Sequence, residues 1–144
     1  MIITSDLIDR AARLGACQPA LSWLRAEPRT TTELAVHDAA WYLLACSWFA
    51  ALADPALVDQ CAEVSAWAAL EFAASRLTAE RLDSCAEREP CWAIRFAASL
   101  LTAERLDQCA ERVPCWALTC AAPFLTAERL ARCADIKVQY DNNI

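Results

Sequence analysis

Between residues 77 and 92 the chain reads LTAERLDSCAEREPCW, and the small or apolar residues Ala79, Leu82, Cys85 and Ala86 recur at the spacing of one helix face. Charges fill the remaining positions: Glu80, Asp83 and Glu87 on one ridge, Arg81 and Arg88 on a second ridge nearer the flank. Thr78 predicts an N-cap, Glu80 places a negative charge in the first turn, and Leu77 with Leu82 predicts a hydrophobic staple. Pro90 stops this outer helix and suits the first position of a second one. That second segment, PCWAIRFAASL, carries Arg95 as its single charge and is predicted to form an inner layer.

The same text returns at 101–116 as LTAERLDQCAERVPCW and starts again at Leu125. Cys61, Cys85, Cys109 and Cys133 stand 24 residues apart, within LVDQCAE, RLDSCAE, RLDQCAE and RLARCAD. Repetition on this scale predicts an all-α fold of stacked helical hairpins, an α-solenoid-like repeat array forming a single domain. The repeats occupy 54–138, residues 1–53 form divergent N-terminal helical hairpins, and 139–144 is a polar tail. In the divergent part, one helix runs from Leu7 to Leu14 and stops at Gly15, and another runs from Pro19 to just before Pro28. Thr30-Thr31-Thr32-Glu33 has the form of a capping box, and Ser65 stands where a second-helix cap is needed.

Composition agrees with helices. The chain of 144 residues is 58 % hydrophobic with one Gly and six Pro, which favours helices over hairpin turns and suits one core. The most apolar run, AAWYLLACSWFAALA at 39–53, would reach about 22 Å as a helix, short of a ~30 Å hydrocarbon core. A buried helix is expected there and no membrane partner. The N-terminus has no basic segment leading into an apolar core, so no secretory signal is expected. Nine cysteines in a chain whose apolar core needs no staples point to a reducing, cytoplasmic setting.

The motif LTAERLDxCAERxPCWA, with its paired short helices and capping threonines, resembles the short helical-hairpin repeats of α-solenoid proteins from bacteria and their phages. The resemblance covers about residues 54–138 and implies architecture, not activity.

Catalytic and cofactor chemistry finds little support. No C-x-x-C occurs, and the column Cys61, Cys85, Cys109 and Cys133 reads as small buried hydrophobes, so no metal and no cofactor is expected. His37 is the single histidine and falls 24 residues before Cys61, at a core-facing position. One Gly leaves no phosphate-cradling loop, and no nucleophile-with-base pattern appears, so a non-enzyme is expected. Trp92 and Trp116 share an inner-helix position and read as core packing.

The net charge of -6 argues against direct nucleic-acid binding and favours a protein partner with a basic surface. The candidate partner-binding residues are Asp59, Asp83 and Asp107 in one row; Glu63, Glu87, Glu111 and Asp135 in a second; and Glu80, Glu104 and Glu128 in the first turns. The competing reading pairs Asp83 with Arg105 across neighbouring outer helices, but the wheel sets the arginines at the flank and leaves the acids freer. The function read from these rows is a non-enzymatic protein–protein interaction module. Alternatives are a phage or mobile-element inhibitor of the anti-CRISPR type that blocks a basic nucleic-acid-binding effector, and a thiol-based sensor. Homo-oligomers through an uncapped end are a further possibility.

Overall fold

A computed structural model describes residues 4–26 and 44–141, and every regular element among them is helical. Thr4 starts α1 (Ser5–Arg13), its hydroxyl accepting the amide of Leu7. Gly15, at φ +92°, closes it: the Gly15 amide donates to Ala12 and the Ala16 amide to Ala11, the paired bonds of a left-handed C-terminal cap. Helices α2 (Gln18–Ala26) and α3 (Ser47–Leu52) both pack near or against α1. His37, Trp41, Pro28 and the Thr30–Glu33 box lie outside the described residues.

From residue 54 the same construction is used repeatedly. The outer helices are α4 (Pro55–Val64), α6 (Ala79–Arg88), α8 (Ala103–Arg112) and α10 (Ala127–Asp141). Each begins at a residue whose side chain accepts an amide three positions on: Asp54 from Leu57, Thr78 from Arg81, Thr102 from Arg105 and Thr126 from Arg129. The inner segments are α5 (Ala66–Phe72), α7 (Pro90–Trp92) and α9 (Pro114–Trp116). Outer helices contact the outer helices of adjacent units, and α5, the segment after α7 and the segment after α9 contact one another in the same order.

Small residues permit this close approach. Ala69, Ala93 and Ala117 form one column and Ala73, Ala97 and Ala121 another, all buried, with Leu70 and Ile94 between them. The buried residues join in one continuous cluster that runs from Ile8 to Cys133.

Three local expectations need correction. First, the apolar run at 39–53 is not one helix over its described part, because Cys46 is extended (φ -85°, ψ 123°) and α3 begins after it; nothing in the sequence marks that break. Second, Ser65 makes no capping bond, and its buried hydroxyl has no hydrogen-bond partner. The cause is the backbone: Ser65, Glu89 and Val113 share one conformation (φ -129° to -137°, ψ 61° to 80°) that does not aim a side chain at the following helix, so Glu and Val serve there equally.

Third, the later inner segments are neither regular α-helices nor wholly inner. After α7 the chain widens into a π-helical stretch, Ala93–Ala97, then tightens into a 3₁₀ turn, Ala98–Leu100; Ala117–Ala121 and Ala122–Phe124 repeat this after α9. Only the alanine–isoleucine side of that coil is buried. Phe96, Leu100, Trp116 and Phe124 are exposed on the other side.

Candidate functional site

The acids and arginines of the outer helices, which the wheel separates into two ridges, meet across the boundary between units. Arg105 makes a two-pronged contact with Asp83, Nε to Oδ1 at 2.6 Å and Nη2 to Oδ2 at 2.5 Å, with Glu87 at 3.7 Å. One unit later, Arg129 reaches Asp107 at 2.7 Å and Glu111 at 2.5 Å, and Arg132 adds a contact to Glu111 at 3.0 Å. One unit earlier, Arg81 takes Glu63, while Asp59 instead accepts the Thr78 hydroxyl at 3.0 Å. The acids are thus less free than the helical wheel alone implies. A wheel describes one helix, and these partners stand on the next. The Arg105 hydrogen bonds hold the Asp83 carboxyl below its ordinary value, and bonds to Asp83 raise Arg105 in turn.

Four of the ten candidate carboxylates remain. Glu80, Glu104 and Glu128 occupy equivalent first-turn positions, are exposed and have no ion pair among the described residues; Asp135 is likewise exposed and unpaired. Glu80 borders a polar recess with Asp59, Thr78, Arg81 and Ser84, and Glu104 borders its copy with Asp83, Thr102, Arg105 and Gln108.

The cysteine column serves the same boundary. The last carbonyls of a helix have no partner within it. In α6, the Cys85 carbonyl accepts the Glu89 amide, the Ala86 carbonyl accepts Cys109 Sγ at 3.5 Å, and the Glu87 carbonyl accepts Arg112 Nη1. In α4, Cys61 accepts the Ser65 amide, Ala62 accepts Cys85 Sγ at 4.0 Å, and Glu63 accepts Arg88 Nη1 at 3.1 Å. Cys133 donates to Ala110 in α8 at 3.7 Å. Each column cysteine after the first therefore caps the preceding unit's helix, with an arginine beside it in two of the three cases. Burial pushes the Cys61 thiol up to about 11 and raises Cys85, Cys109 and Cys133 in the same direction. Thiols so placed are held protonated, the opposite of what a reactive cysteine needs.

No protein-family model matches the chain, and no curated protein or solved structure matches it. Among the described residues no group of His, Cys, Asp and Glu is arranged to hold a metal ion, and no helix is long and apolar enough to cross a membrane.

The aromatic residues form a feature that the sequence reading missed. Trp67 and Trp92 lie with ring centroids 5.3 Å apart, Trp92 stacks on Phe96 at 5.4 Å, and the Arg95 guanidinium lies over both Phe96 (4.9 Å) and Trp116 (5.6 Å). Trp92 is half-buried, but Trp116 is 41 % exposed, so it is not the core residue expected. The one available signal was Arg95: a charge in an otherwise apolar segment marks its outward side, and Trp92, Phe96 and Trp116 share that side.

Two outcomes follow for these contacts. Arg105→Gln should lower stability by about 1 kcal/mol at pH 7 in urea denaturation, since the pair is two-pronged but partly exposed. Because the folded-state Asp83 value is depressed, its contribution is complete above the ordinary carboxyl value of 3.8 and is lost as pH falls below it. The stability difference between wild type and Arg105→Gln should therefore narrow as pH falls through that range; a constant difference would count against the pairing. In native thiol titration near pH 8, exposed Cys17 and Cys115 should react, whereas Cys61, Cys85, Cys109 and Cys133 should react only on unfolding. Rapid native modification of Cys85, Cys109 or Cys133 contradicts the capping role.

Proposed function

We propose that the protein is a non-enzymatic protein-binding module, an α-solenoid-like array of stacked helical hairpins whose outer face engages a basic protein surface. The observation that carries this reading is the division of labour among the acids. Asp59, Glu63, Asp83, Glu87, Asp107 and Glu111 have partners in the adjacent unit. Glu80, Glu104 and Glu128, one on each of α6, α8 and α10, are exposed with no such partner.

A row repeated at the pitch of the units suits an extended partner, because α6, α8 and α10 each add an equivalent carboxylate, and Glu80 and Glu104 each stand beside a polar recess. Asp135 continues the charge on the last outer helix. The paired acids keep the pitch, and the free acids face the partner. A reducing cytoplasm fits this reading, since the column cysteines act as S–H donors and oxidation would remove the donor.

Capture of a partner from native host lysate tests the proposal. Glu80→Lys with Glu104→Lys should reduce capture by about tenfold and leave helix content unchanged. Asp6→Lys with Asp9→Lys, an equal change of charge at exposed positions on α1, should leave capture near the wild-type level. Unchanged capture by the first variant, or equal loss by both, defeats the assignment to this row.

A further inference from the structure

We infer that two copies of this chain pair through the aromatic side of the inner segments, across a two-fold axis that runs between α5 and the segment after α7. The surface is too apolar to be an ordinary wet face: Phe72 is 43 %, Phe96 36 % and Trp116 41 % exposed, and rings and guanidinium link Trp67, Trp92, Phe96, Arg95 and Trp116 without a gap.

What selects a second copy as the occupant is the placement of charge. Glu71 and Arg95 stand 24 residues apart, the same position of adjacent units, and so do Phe72 and Phe96. Arg95 is exposed and Glu71 half-buried, and neither has an ion pair among the described residues. The inner segments bearing them are in contact. A two-fold axis lying between these segments, along their length, exchanges the two positions. Glu71 of one copy then faces Arg95 of the second, Arg95 of the first faces Glu71 of the second, and the two phenylalanines exchange in the same way. One operation thus satisfies both charges and covers both rings, which is the self-complementarity an isologous interface requires. A uniformly acidic or uniformly basic partner would satisfy only one of the two. This pairing leaves the outer-helix carboxylates untouched and does not depend on their role.

Sedimentation equilibrium on the full chain, at concentrations from about 1 to 100 µM, tests the inference. Wild type should show a mass approaching twice that of one chain. Arg95→Glu and Glu71→Arg should each raise the dissociation constant at least about tenfold, and combining the two should restore it, since the swap re-forms both pairs. Trp116→Ser should weaken the dimer in the same assay. Circular dichroism checks that each variant retains its helices. A wild-type monomer across the range, a dimer indifferent to Arg95→Glu, or a double variant no better than the singles overturns the inference. In the monomer case the aromatic side belongs to a different kind of partner.

Discussion

A ten-residue helix cannot satisfy its own last four carbonyls, and in this protein one or two of the missing donors at each boundary come from the next unit. That requirement organises the repeated half of the chain. Cysteine suits the position because it is small enough to be buried against the adjacent helix and still carries a proton to donate. Arginine beside it reaches the next carbonyl from the surface, where its charge also complements the negative end of the helix. A unit lifted out of its surroundings would lose these bonds at one helix end, so the 24-residue repeat is a fragment of a fold and not a fold in itself.

The same dependence explains the charge pattern. Arg105 and Arg129 each bind acids of the preceding outer helix. Such pairs add modestly to stability, but their fixed partners set the register in which one outer helix lies on another. The pattern thins at α10: Ala131 stands where Asp59, Asp83 and Asp107 stand in earlier units, and Ile136 where Arg88 and Arg112 stand. That helix has fewer of the groups that join one unit to another.

Much of this was legible in the sequence. The threonine caps, the proline starts, the outer-helix limits and the buried cysteine column follow from local chemistry written in a few residues, and local chemistry survives folding. Three things were not legible. The extent of pairing between acids and arginines was one: the Asp83–Arg105 pair stood as the competing reading, but the wheel of a single helix could not decide for it, because the partner is on the neighbouring helix, 22 residues away in the chain. The π-helical stretches Ala93–Ala97 and Ala117–Ala121 have no signature within eleven residues of mostly apolar text. Trp116 looked like core because a large ring in an apolar segment is usually buried; here the alanines take the inside and leave the rings outside.

The protein therefore presents two unlike surfaces, a charged outer one in which six of the ten candidate carboxylates have partners in the adjacent unit and an aromatic inner one with two opposite charges set in it. The outer surface depends on each unit supplying donors to the end of the helix before it. Hydrogen exchange resolved by segment, comparing wild type with Arg112→Met, tests that claim most directly. Amides in the preceding helix, Ala79–Arg88, should lose protection along with those of Ala103–Arg112, because Arg112 donates to the Glu87 carbonyl. Loss confined to Ala103–Arg112, with the preceding helix as protected as before, would contradict it.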